Sequence, residues 1–273
     1  MRTRDDSELR DQFDSQVRRN ATPDGSGSIV HVTPSLVRWA ANDGLGWSEI
    51  SWSKLDEESA HDVIATQIDF FRKLGQRFVW RVYDYDEPSD LGARLLDEGF
   101  TLLSISAVMI AGTASLAKPE HLPNGAEMVE VTDEDGVDLL IRTHEAVFGH
   151  SHQDLRRSIL ARIKTAPMES SMFVVTSKGA PISGARIDFR PNCDVATLWG
   201  GGTMPEWRGQ GLYKALLYRR AQVALERGYR YLLVLASDQS RPILQRLGFR
   251  AIANVSTYSW DPTVSLKEVT AGR

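Results

Sequence analysis

The chain has a single cysteine, Cys193, in 273 residues. No intramolecular disulfide can form, which excludes a small secreted scaffold held by cross-links. A long apolar run is missing as well. The best, Leu102 to Ala111, has ten residues and contains two serines, whereas a bilayer span needs about 20 apolar residues. That run suits a buried strand. The opening stretch, MRTRDDSELRDQF, has no apolar core of the signal-peptide kind, so a cytoplasmic protein is expected. There is no basic excess: Lys+Arg number 32 against 36 Asp+Glu, a net charge of -4. Nucleic-acid binders usually carry a basic face, so neither nucleic acid nor membrane is expected as a partner. With 21 Gly and 11 Pro, usage is near average, which excludes collagen and wholesale disorder.

What is present reads as a soluble globular protein, 42% hydrophobic and 25% charged. The length allows one large domain or two ordinary ones. Residues 7–19 place Leu9, Phe13 and Val17 at fourfold spacing, as in one amphipathic helix. Residues 22–28 are turn-rich and read as a mobile loop. Strand-like segments around 28–40 and 46–53 are parted by Asn42-Asp-Gly44. Residues 56–74 read as a helix closed by Gly75. Strand 77–85, a Leu-rich helix from Pro88 to Gly99, and strand 100–111 complete a first half. Residues 112–126 lack periodicity and read as a linker.

The second half begins with strand 127–131. Thr132-Asp-Glu-Asp135 reads as a capping box before a helix with Val137, Leu140, Ile141, Val147 and Phe148 on one face. A helix over 153–164, a hairpin around Lys178-Gly179, strand 193–203, helix 213–227, the all-apolar strand 231–236, a short helix at 240–247 and strand 249–260 follow. Residues 77–100 and 230–249 share one pattern, each ending Gly-Phe, 149 positions apart. Two copies of one fold, or two ordinary strand–helix–strand units, account for it.

The segment 195–213, VATLWGGGTMPEWRGQGLY, carries the chemistry. Three consecutive glycines, Gly200 to Gly202, weaken a strand and mark a bulge or a close approach. Arg208-Gly-Gln-Gly211 stands directly before a helix. The first amides of a helix lack internal partners, and its dipole places partial positive charge there. No Ser, Thr, Asp or Asn is placed to cap them. Bare glycines beside such amides form a phosphate cradle; a tight glycine turn with no ligand is the alternative. Neither the Walker A pattern nor the Rossmann GxGxxG fits, the latter because position 214 is lysine.

Arg208-Gly-Gln-Gly-Leu-Tyr213 instead resembles motif A, Arg/Gln-x-x-Gly-x-Gly/Ala, of the GNAT (acetyl-CoA-dependent N-acetyltransferase) superfamily, with Tyr213 in the last small-residue slot. The approach Thr-Met-Pro-Glu-Trp207 and the downstream Leu-Gly-Phe249 are similar to the family too. Ser237 stands in an Asn slot and Leu244 in the slot of a frequent general-acid Tyr. The resemblance covers about 127–260 and implies an α/β (α+β) fold of two GNAT-like lobes, each a mixed, mostly antiparallel sheet flanked by helices. The lobes would be 1–111, degenerate and without its own cofactor motif, and 127–265, joined by 112–126.

It further implies acetyl-CoA as co-substrate and no metal. The pantetheine arm would pair with the backbone near Gly202, Thr203 and Met204. The pyrophosphate would rest on Arg208, Gly209, Gln210, Gly211, Leu212 and Tyr213, with Ser237 and Ser240 nearby. A primary amine of a small molecule or peptide would attack the thioester directly, a backbone N–H polarising the carbonyl. His150 and His152, in a loop that lines the family's acceptor site, are candidate bases; as a metal site they lack a third ligand. Tyr258 is a candidate substitute acid. His144 falls on the apolar stripe of its helix and reads as a satisfied core histidine. The alternative to an enzyme is a silent acyl-CoA-binding or scaffolding module.

Overall fold

A computed structural model describes residues 5–19, 21, 27–42 and 46–264. In chain order its elements are α1 (Asp6–Phe13), a π-helical turn (Asp14–Arg19), β1 (Ser28–Val32), β2 (Leu36–Ala41), β3 (Glu49–Ser53), α2 (Ala60–Leu74), β4 (Phe78–Tyr83), α3 (Leu91–Asp97), β5 (Thr101–Gly112), α4 (Thr113–Leu116) and β6 (Ala126–Glu130). Then come α5 (Glu134–Phe148), α6 (Gln153–Thr165), β7 (Ser170–Ser177), β8 (Ala180–Asp188), β9 (Val195–Thr203), α7 (Leu212–Glu226), β10 (Tyr231–Ala236), α8 (Arg241–Arg246) and β11 (Arg250–Trp260).

The helices follow their apolar periodicity. α2 buries Ile64, Ile68 and Phe71 on one stripe and ends at Gly75 in the left-handed region. α5 is capped one residue later than the capping-box reading, by the Asp133 carboxylate accepting from Gly136 N at 2.9 Å. The helix expected over 7–19 changes character midway: α1 is α-helical and 14–19 widen into a π turn. The strand expected over 28–40 folds back on itself as β1 and β2, because Thr33 Oγ1 accepts from Leu36 N and closes a tight turn. The loop read at 22–28 lies mostly outside the described residues, as do Asp43 and Gly44.

Among the described residues eleven strands form one mixed sheet in the order β1-β2-β3-β4-β11-β5-β10-β9-β8-β7-β6. Two pairs are parallel, β3 with β4 and β9 with β10. The boundary expected near 111–126 does not part this sheet. β11, from the end of the chain, lies between β4 and β5; β5, from the first half, lies between β11 and β10. The 112–126 stretch is tied down as well. Thr113 and Leu116 are buried in α4, and Gln222 Nε2 of α7 donates to Lys118 O at 2.7 Å.

Helices cover both faces. On one face α7 packs Leu212, Leu216 and Ala224 against Ala196, Leu198 and Leu232. On the other, Leu9 and Phe13 of α1 cover Val195, Leu233 and Val108. α2 and α3 close the far end of the sheet around Trp80 and Phe100. Both rings are fully buried; truncating such a side chain to alanine costs about 3–5 kcal/mol.

Candidate functional site: a cationic cleft where two parallel strands part

β9 and β10 are hydrogen-bonded only from Val195↔Tyr231 to Thr197↔Leu233. Beyond that point both strands continue, but apart. The register of β8 against β9 slips between Gly184 and Arg186, a bulge that bends β9 away. Gly200 sits in it with φ +57. Arg220 of α7, 1% exposed, donates from Nη1 to Arg186 O at 3.1 Å and so satisfies a carbonyl at the bulge.

The three glycines have three separate neighbours. A Cβ on Gly200 would lie 2.6 Å from the His144 ring, one on Gly201 3.1 Å from the Tyr213 ring, and one on Gly202 2.9 Å from Val147. Glycine here lets α5 and α7 press onto the parted strand. Tyr213, in the small-residue slot, does not crowd the helix start, because its ring folds back over Gly201.

The turn before α7 is a different case. Gly209 and Gly211 have open space around them, but φ of +78 and +85, which only glycine adopts cheaply. α7 starts without a side-chain cap. The amides of residues 209–214 find no acceptor among the described residues. Arg208 is pinned beside them by Nε donating to Thr203 O at 3.2 Å.

The opening between the strands is a cleft of about 770 Å³ that runs from this turn to Trp199 and Leu235. Its walls hold four cations, Arg208, Lys214, Arg220 and Arg246, and no Asp or Glu. In a chain of net charge -4 that concentrates positive potential on one site. Burial with no carboxylate partner pulls the Arg220 guanidinium down to about 10, so it still holds its charge at neutral pH.

Of the residues expected to hold coenzyme, Gly202, Thr203, Arg208, Gly209, Gly211, Leu212, Tyr213, Ser237 and Ser240 line this cleft. Met204 does not, and its backbone is fully used: its N–H donates to Ile182 O and its carbonyl accepts from Trp207 N. Gln210 points away, donating to Glu206 O. Lys214, Arg220 and Arg246 were not anticipated. Arg246 shares the cleft wall with Ser240, six residues before it, a placement that a helix at 240–247 could have suggested.

His150 and His152 stack at 4.3 Å, next to Phe148, which does line the cleft. Their Nδ1 atoms lie 3.0 and 2.8 Å from Phe148 O and His150 O. His144 is buried as its stripe position requires; its ring lies against the Gly200 backbone, and Nε2 makes no well-aligned hydrogen bond there. Burial first, then the nearby His152, pull it down to about 4, so it is neutral at pH 7. Tyr258 is not brought to the cleft. β11 carries it between Trp80 and Leu102, with its hydroxyl against Gly92 of α3. Leu244 is fully buried in the core. No group of three or more His, Cys, Asp or Glu placed to hold a metal occurs among the described residues.

The first half has its own parallel pair, but no such cleft. Trp80 fills the space beside β3, its Nε1 donating to Ser53 Oγ at 3.4 Å. The turn before α2 holds Asp56, Glu57 and Glu58, with Asp56 already accepting from Ser59 N. Three carboxylates there would repel a phosphate.

A sheet whose parallel pair opens onto an uncapped, cationic helix start is built to receive an anionic group. Residues 134–249 match the Acetyltransferase (GNAT) family. Among solved structures, a GCN5-related N-acetyltransferase from Kribbella flavida has 17% identity and a TM-score of 0.65, covering 96% of each chain. A tandem GNAT protein from the clavulanic acid biosynthesis pathway has 12% identity and a TM-score of 0.58, covering 84% of this chain and 79% of that one. A GCN5-related N-acetyltransferase from Sphaerobacter thermophilus has 16% identity and a TM-score of 0.54, over 94% and 85%. These likenesses define the fold. No curated protein matches the chain.

Proposed function

We propose that this chain is an N-acyltransferase that moves an acetyl group from acetyl-CoA to a primary amine. The observation that carries the reading is the cleft itself, with unpartnered amides at residues 209–214 and four cations without a carboxylate. A pyrophosphate answers both features. The amides of Gly211, Leu212 and Tyr213 would hold it, with Arg208 and Lys214 adding charge. The freed edge of β9 from Leu198 to Thr203 would receive an extended amide-bearing arm.

Bound there, acetyl-CoA supplies an activated carbonyl. The chain supplies position, which is most of what a direct transfer needs. A new N–C bond forms as the C–S bond breaks; the ammonium gives up a proton and the departing thiolate takes one. The geometry at His150 and His152 favours Nδ1–H on both rings, which leaves each Nε2 as a proton acceptor beside the cleft. Leu244 has no proton to give and Tyr258 lies against Gly92, so in this reading the departing thiolate takes its proton from solvent. A thiol of pKa about 8.5 tolerates that. The first half, with its parallel pair and blocked cleft, is in this reading a degenerate copy of the same fold.

The test is acetyl-CoA binding and thiol release across a panel of amines. Gly211→Glu puts a carboxylate into the cradle and abolishes coenzyme binding. Gly211→Asn, which tolerates the same φ without charge, keeps most of it. Equal affinity in both variants and the wild type rejects the site. Tight coenzyme binding with no turnover on any amine leaves a silent binding module instead.

A further inference from the structure

Trp199 and Leu235 line a second cavity on their other side. It has about 220 Å³ and sits on the α1 face of the sheet, opposite α7. It is walled by both halves: Glu49, Arg81 and Tyr83 from β3 and β4, Arg186 and Thr197 from β8 and β9, with the π turn above. At roughly 30 Å³ per water it holds the volume of about seven waters. That suits a molecule, or a single residue, of amino-acid size.

Its charged walls are not equally engaged. Arg18 is saturated: Nε donates to Ser51 O, Nη1 to Asp14 and Tyr85, and Nη2 to both Asp86 oxygens. Arg81 donates only from Nε, to Glu49 Oε2 at 2.8 Å. Its two terminal nitrogens make no hydrogen bond among the described residues. A guanidinium held rigidly by one edge, with its fork open onto a cavity, is a bidentate receptor for a planar oxyanion. Burial pushes the Tyr83 hydroxyl up to about 12, so Tyr83 adds no competing charge at pH 7.

Resting on the acyltransfer reading, we propose that this cavity is the acceptor site and that the acceptor is a small amine that also carries a carboxylate. Arg81 takes the carboxylate. The amine then points to the shared wall at Trp199 and Leu235, where the cleft delivers the acyl carbonyl. Glu49 beside Arg81 disfavours a doubly charged phosphate there and leaves a singly charged carboxylate as the better fit.

Steady-state thiol release from acetyl-CoA compares each of a set of amino acids with its carboxamide and its decarboxylated amine. The expected result is at least one amino acid used with a kcat/KM ten or more times that of its carboxamide. Arg81→Met then raises KM for that amino acid tenfold or more and leaves the KM for acetyl-CoA unchanged. Carboxamides or plain amines used as well as the acids overturn the proposal, whether or not the variant folds. So does an Arg81→Met enzyme, folded by circular dichroism, that keeps the preference. Calorimetry with CoA separates the two readings. Lost coenzyme binding overturns the enzyme assignment, whereas coenzyme binding with turnover blind to the carboxylate overturns this inference alone.

Discussion

His144 shows how much one side chain depends on a distant backbone. Its ring fills the space above Gly200, and its Nε2 makes no well-aligned hydrogen bond there. Folding therefore holds it neutral down to about pH 4, while in the unfolded chain it titrates near 6.5. Between those values the unfolded state binds more protons, so stability is fully present above pH 6.5 and falls as pH drops towards 4. The contribution is about 3 kcal/mol. Urea unfolding at pH 7 and pH 4.5 should show this loss in the wild type and a much smaller one in His144→Gln. The sequence made the glycine run visible as an anomaly and His144 visible as a core position. That one explains the other was not legible, because 56 residues separate them and no local pattern encodes which helix presses on which strand.

Elements with a strong apolar period were legible: α2 and α5 stand where their stripes place them, and the uncapped start of α7 was read from the absence of a capping side chain. The π turn after α1 was not. A 3.6-residue stripe through Leu9, Phe13 and Val17 continues smoothly in sequence, and the widening comes from tertiary pull on Arg18. That guanidinium is 2% exposed, lies 3.7 Å from the Tyr83 ring centroid and is gripped by Asp86. π turns recur at functional sites, and this one roofs the small cavity. Asp86→Ala removes the more buried of the two carboxylates on Arg18, leaving it with Asp14 alone, and should cost up to about 3 kcal/mol in denaturant unfolding. The double variant Arg18→Met/Asp86→Ala should recover most of it, since the remaining Asp14 is partly exposed and still accepts from the Tyr85 hydroxyl. A double variant as unstable as the single one would show that packing around Arg18, rather than charge, holds the turn.

At the scale of the molecule, the 149-residue echo was in the sequence, but its meaning was not. Two copies of one fold and two ordinary strand–helix–strand units each accounted for it. The structure joins the two halves in one sheet: Ser106 of β5 is paired with Val255 of β11. Strand patterns report which segments are extended and say little about pairing over such distances. Because β11 completes the first half and β5 the second, the halves should not unfold separately. Hydrogen exchange monitored by mass spectrometry should find the β4, β11, β5 and β10 amides opening together as the slowest unit. A first half that exchanges at its own rate would contradict the interleaved sheet.

That interleaving also sets a timetable for biogenesis. As the ribosome extrudes the chain, β4 and β5 emerge long before the strand that must wedge between them, and they wait with adjoining edges open. Contacts so distant along the chain form slowly, and waiting edges are sites of aggregation. Released chains truncated before residue 250 should therefore depend on chaperones far more than the 273-residue chain.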